Sequence, residues 1–261
     1  MDHIIRHVSL LCVLTSMLAA VKTSAQTTPS VPDARAASLR TLEQGKFDTR
    51  DVERVAGAGM TEAIPALKTR FVQEQDEHTK AKIAAALVRL GERGDSYWQF
   101  VADHARPAIE TDAPWPRRLD SQPKGGGELS PEFVAWSETH HVKPVDAAHD
   151  AVFDLPLRVI IMAQAGDARG IPILRRGLLS PNWMVEAMSA KGLAQVQDKD
   201  SIPLIIEACK KAPAGMAAGI AEALVYFTDA RAQDAADVYL PKEWAKLLRA
   251  WAQDHPRPLT D

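Results

Sequence analysis

Three segments of this 261-residue chain repeat one pattern at a fixed step. They are Ala165-Gly-Asp-Ala-Arg-Gly-Ile-Pro-Ile-Leu174, Val196-Gln-Asp-Lys-Asp-Ser-Ile-Pro-Leu-Ile205 and Phe227-Thr-Asp-Ala-Arg-Ala-Gln-Asp-Ala-Ala236. Their shared aspartates, Asp167, Asp198 and Asp229, stand 31 residues apart. Self-similarity at such a period means one supersecondary unit stacked on copies of itself. Each unit reads as two helices. The turn aspartate caps the first by accepting from free backbone N–H groups. Ile171, Ile173, Leu174 and Leu178 give that helix its apolar positions. A second helix opens at Ser180-Pro181, with Ser as cap and Pro leading. Met184, Val185, Met188, Leu193 and Val196 supply its apolar positions. Ala212-Pro213 and Leu240-Pro241 open the corresponding later helices. Pro172 and Pro203 have no N–H to donate, which predicts either a late helix start or a kinked first turn.

The same unit recurs nearer the N-terminus. Ala63-Ile-Pro-Ala-Leu67 matches Gly170-Ile-Pro-Ile-Leu174, and Ala86-Leu-Val-Arg-Leu-Gly-Glu92 matches Gly192-Leu-Ala-Gln-Val-Gln-Asp198. Glu92 takes the place of the turn aspartate. From Glu92 to Asp167 is 75 residues, 13 more than two regular units, so something is inserted. These units resemble short HEAT repeats of the bilin-lyase-like class, over about residues 60–105 and 150–254. The resemblance implies an all-α fold: a right-handed α-solenoid with the second helix of each pair lining the concave side. Such surfaces bind other macromolecules.

At the N-terminus, Arg6 precedes an apolar run from Val8 to Val21 and the small-residue end Thr23-Ser-Ala25. That is the pattern of a secretory signal peptide cut after Ala25. The run spans 14 residues, short of the roughly 20 that cross a bilayer, and no later stretch reaches that length. The expected layout is therefore a signal peptide over 1–25, an N-terminal segment with capping helices over 26–59, and the repeat array over 60–261. Losing the leader changes the formal charge from −3 to −4. Mild acidity without a basic face argues against a nucleic-acid partner. Cys12 leaves with the leader, so Cys209 stands alone and no cysteine metal cage can form. The expected location is outside the cytoplasm, in a bacterial periplasm or secreted.

The insertion covers about residues 106–145. It holds six prolines and Gly125-Gly126-Gly127, which forbids one continuous helix. Within it, Ser130-Pro131 opens a capped helix that puts Phe133 and Trp136 on one face. The plain reading of that pair is that it docks the insertion onto the array. The functional reading adds Trp115 and Trp136 to a working surface built from Trp183, Glu186, Lys191 and Gln195 of one second helix and Tyr226 of the next. Trp and Tyr are over-represented among interface hot spots. His140, His141 and His149, with Glu138, Asp146 and Asp150, are weak metal candidates, since the adjacent His140 and His141 cannot face the same way. No nucleophile elbow, phosphate loop or zinc-protease motif is present, and no cofactor is implied. The expectation is a non-catalytic exported scaffold binding a protein or peptide through the concave face and the insertion. The alternative is an enzyme or metal-binding protein with its site in residues 106–150.

Overall fold

An Ile-Pro step starts three of the helices late. In the computed structural model, short 3₁₀ turns at Thr61–Ala63, Ala168–Gly170 and Lys199–Ser201 precede helices beginning at Ile64, Ile171 and Ile202. Pro65, Pro172 and Pro203 each fall in the first turn of the helix, where a missing N–H costs nothing. The third repeat has no proline there, and its helix begins directly after Asp229. Of the two outcomes the prolines allowed, the late start is therefore the one taken.

The structure describes residues 31–45, 48–116 and 129–259. The leader expected over residues 1–25 and Gly125-Gly126-Gly127 lie outside them. Regular structure among the described residues is all helical. In chain order the helices are α1 (Val31–Glu43), α2 (Thr49–Gly57), α3 (Ile64–Gln73), α4 (Glu77–Arg89), α5 (Asp95–Glu110), α6 (Pro131–Thr139), α7 (Pro144–His149), α8 (Leu155–Gln164), α9 (Ile171–Gly177), α10 (Trp183–Gln195), α11 (Ile202–Lys211), α12 (Ala214–Ala221), α13 (Ala230–Tyr239) and α14 (Lys242–Asp254).

Alternate helices pack in series: α2 on α4, α4 on α8, α8 on α10 and α10 on α12. The other member of each pair packs beside its own partner, as α3 on α4, α5 on α8, α9 on α10 and α11 on α12. The main core follows that row through Val159, Met162, Val185, Leu193, Ile205, Ile220 and Phe227. A second cluster under α1–α4 holds Val52, Val55, Leu67, Ile83 and Leu87. Phe71 and Tyr97 pack against both clusters.

The insertion sits inside a helix pair rather than between pairs. α5 runs through Pro107 to Glu110, past the expected boundary at Arg106, and its partner is α8. The 75-residue gap is thus one unit of 31 plus 44 inserted residues. Ser130 caps α6 as expected, its Oγ accepting from the Phe133 N–H at 3.2 Å. Phe133 is fully buried in a small core with Ala113 and Ala151. Between α7 and α8 the backbone widens into one π-helical turn, Asp150–Asp154. Pro156 explains it: with no N–H to give and a ring pressing on the preceding turn, it forces that turn open.

The capping scheme departs from expectation at three places. Asp167 and Asp229 cap as read, each accepting from the backbone N–H two residues on. Asp198 does not; its carboxylate takes Arg175 Nε and Nη2 of the preceding unit at 2.9 Å each, and the Ser201 hydroxyl. Glu92 does likewise, reaching Lys68 at 2.8 Å. α10 is capped by Asn182 rather than Ser180: Asn182 Oδ1 accepts from Met184 N–H at 3.0 Å, while its amide donates to the Ala151 carbonyl at 2.7 Å. Ser180 Oγ accepts instead from the Asn182 N–H.

Candidate functional site

α9 ends after seven residues, and that early stop opens a groove. Its sides are Arg175, Arg176, Leu178 and Leu179 from α9 and its exit, and Leu204, Glu207, Ala208 and Lys211 from α11; Glu186 enters from α10. The cavity measures about 520 Å³, within the range of ligand-binding clefts. Leu179 is 77% exposed and Leu204 45%, so both present apolar surface to solvent. At one end Arg175 closes the groove by its clamp on Asp198 and Ser201.

The charges of the groove are unequal in their commitments. Arg176 and Lys211 have only long carboxylate contacts, 3.8 Å to Glu110 and 3.9 Å to Glu207. Glu186 is half-buried and makes no hydrogen bond or ion pair with the described residues. Burial pushes its carboxyl up to about 7, against a smaller opposing pull from Lys211. Cys209 lies beside it, 2% exposed, with its thiol driven up to about 12 by burial and by the Glu186 charge. A thiol so held stays protonated and unreactive.

The other residues singled out from the sequence have structural partners. The rings of Trp115 and Trp183 meet edge to face at 5.3 Å. On its other side Trp183 lies so close to Gly219 that a Cβ there would stand 2.8 Å from the ring. Trp183 therefore joins the insertion to α12. Trp136 Nε1 donates to Asp112 Oδ1 at 2.8 Å, and its ring stacks on His140 at 4.5 Å. Lys191 is ion-paired to Glu222 at 2.8 Å, with both side chains largely covered. Gln195 is buried, and its Oε1 has no hydrogen-bond partner among the described residues. Tyr226 is half-buried, its carbonyl accepting from Gln197 Nε2 at 2.8 Å. Of the proposed surface residues, Glu186 alone lines the groove.

The histidine cluster is divided. His140 is held by the Trp136 carbonyl, and His141 is exposed at a left-handed helix end with φ 56°. His149 joins Asp150 and Asp154 on the π turn, their donor atoms all within 4.8 Å of one another. Burial first, and the neighbouring Asp154 carboxylate second, raise the Asp150 carboxyl. A second polar cluster had no motif to announce it. His78 and His104 stack edge to face at 4.7 Å between α4 and α5. Glu77 Oε1 lies 3.2 Å from His104 Nδ1, and Arg158 donates to the His104 carbonyl at 3.1 Å. Nε2 of both rings is buried without a hydrogen-bond partner among the described residues. Burial, helped by the Arg158 cation, keeps both imidazoles below their ordinary range and therefore neutral.

Comparison of the chain with family models, with curated proteins and with solved structures finds no match.

Proposed function

We propose that this chain is a non-catalytic exported scaffold, an α-solenoid of HEAT-like helix pairs that binds a protein or peptide. The 31-residue recurrence and the serial packing of α2, α4, α8, α10 and α12 support the solenoid reading. The observation that carries the binding role is the groove between α9 and α11, with its two exposed leucines and its unpartnered carboxyl. We assign binding to this groove and not to the tryptophans, because Trp115, Trp136 and Trp183 are occupied in holding the insertion. Exposed apolar side chains rimmed by charge are the usual composition of a recognition surface. The test changes Leu179 and Leu204 together to Asp, then measures both melting and partner capture from the envelope fraction. Unchanged melting with capture lost supports the role; capture at the wild-type level rejects it. Export is tested separately by N-terminal sequencing of the mature protein: a start at Gln26 is expected, and an intact Met1 in a cytosolic pool rejects it.

A second reading rests on the π turn. His149, Asp150 and Asp154 together offer one imidazole and two carboxylates, a donor set suited to a divalent cation. Isothermal titration with zinc or manganese, repeated on Asp150→Asn/Asp154→Asn, decides it: saturable binding lost in the variant supports a metal site.

A further inference from the structure

We infer that the groove between α9 and α11 seats a peptide segment carrying aliphatic and carboxylate side chains, its carboxylates meeting Arg176 and Lys211. The inference rests on the binding-scaffold reading and specifies its partner. Three observations carry it. First, the apolar lining of Leu178, Leu179, Leu204 and Ala208 faces an opening, and two of those leucines are exposed. Aliphatic side chains of a guest would cover them. Second, the cations at the rim are available. Arg176 and Lys211 are 66% and 70% exposed, and among the described residues no carboxylate approaches either more closely than 3.8 Å. Arg175, the third, is consumed by Asp198 and leaves its charge compensated. Third, the acidic side chains of the groove offset them only in part, since Glu207 lies 3.9 Å from Lys211. Glu207 is shared with Lys210, 3.4 Å away, and Glu186 carries its proton up to about neutral pH. Below that pH the groove therefore presents a net positive rim around an apolar lining, the complement of an acidic, aliphatic segment.

Glu186 gives the inference a signature that simple charge attraction lacks. The groups around it are Arg175 and Arg176 from α9, and Glu207, Cys209 and Lys211 from α11. Cys209 stays neutral across the physiological range, so Glu186 is the group whose charge changes near pH 7. Protonated, it tolerates a guest carboxylate and can donate to it. Ionised, it places a like charge beneath the guest and loosens the grip.

The experiment uses the mature chain and two fluorescein-labelled octapeptides, one alternating Leu with Asp and the other alternating Leu with Lys, titrated by anisotropy. The Leu/Asp peptide is expected to bind at pH 6, and several-fold more weakly at pH 8. Glu186→Gln should hold the pH 6 affinity at both values. Arg176→Ala/Lys211→Ala should lose at least tenfold while melting as the wild type does. Equal or tighter binding of the Leu/Lys peptide overturns the inference. So does retention of Leu/Asp binding in the double-alanine variant, or an unchanged fall with pH in Glu186→Gln. A chain that ignores both peptides, yet loses envelope capture through Leu179→Asp/Leu204→Asp, keeps the scaffold reading and rejects this partner.

Discussion

At the scale of single residues, Glu186 and the His78–His104 pair set opposite pH dependences on stability. The folded chain holds the Glu186 proton up to about 7, well above the unfolded carboxyl. Its contribution is therefore full at low pH and is lost as pH rises toward 7. Glu186→Gln removes that loss. The variant should melt like the wild type at pH 5 and higher at pH 8, by roughly 2–3 kcal/mol in stability. At this chain length each kcal/mol is about 2–4 °C. A variant that tracks the wild type at both pH values would show Glu186 to be well solvated. The two histidines run the other way. Their folded pKa lies below the unfolded value, so the unfolded chain takes up protons first as pH falls below about 6.5. Stability should drop between pH 6.5 and 5, and His104→Gln should flatten that drop in a pH series of thermal melts. Gly166 closes α8 at φ +62°, a backbone that L side chains adopt at a cost; Gly166→Ala should lose about 1 kcal/mol in urea unfolding.

At the scale of elements, the acidic residue at each turn has two distinct uses. Asp48, Asp167 and Asp229 each carry an arginine two positions on, and each carboxylate takes both the N–H and the guanidinium of that residue. Asp48 opens α2 with the same arrangement although it stands outside the 31-residue series. Glu92 and Asp198 have no such arginine and reach back to the preceding first helix. The Asp-x-Arg pattern is thus the signal that distinguishes the two, and it was legible in the sequence. Asp229→Ala should cost about 1 kcal/mol, the usual value of a cap. Packing between elements is less forgiving. At Gly192 a Cβ would stand 2.8 Å from Ala163 Cβ and 2.9 Å from Leu174 Cδ2, so α8, α9 and α10 meet there with no room. Gly192→Leu should lose 1–3 kcal/mol or more through overpacking. Its neighbour Leu193 is fully buried, and Leu193→Asp should cost several kcal/mol by leaving an unpaired charge inside. Near-native melting of either variant would show that the row of second helices separates easily.

At the scale of the whole molecule, the proposed stack makes a prediction about size. A compact chain of the length of residues 35–261 has a radius of gyration of about 17 Å. Helix pairs stacked in one direction are longer than they are wide, so small-angle scattering of the mature protein should give a value clearly above that. A value at or below about 17 Å would mean a closed bundle and would reject the solenoid. The same serial packing explains how one pair accommodates 44 extra residues. The insertion leaves after α5 and returns into α7 and α8, building its own small core around Phe133 on the way. The insertion is held in turn by the following pair, through Trp115 against Trp183 and through the Asn182 amide on the Ala151 carbonyl.

The helical class, the pairing of helices and the α6 cap were readable from the sequence, because periodicity, prolines and caps act over a few residues. The groove was not. It depends on α9 ending at Gly177, on Arg175 turning toward the next unit, and on Leu179 and Leu204 remaining uncovered. None of these leaves a local mark. Trp115, Trp136 and Trp183 show the same limit from the other side: their spacing suits an interface as well as a core, and only packing assigns them to the insertion's attachment. Local pattern dictates which backbone forms, since hydrogen bonds and dihedral preferences are satisfied within a few residues. Which faces stay open is decided by neighbours distant in sequence, because burial is a property of contacts between elements and not of any one of them.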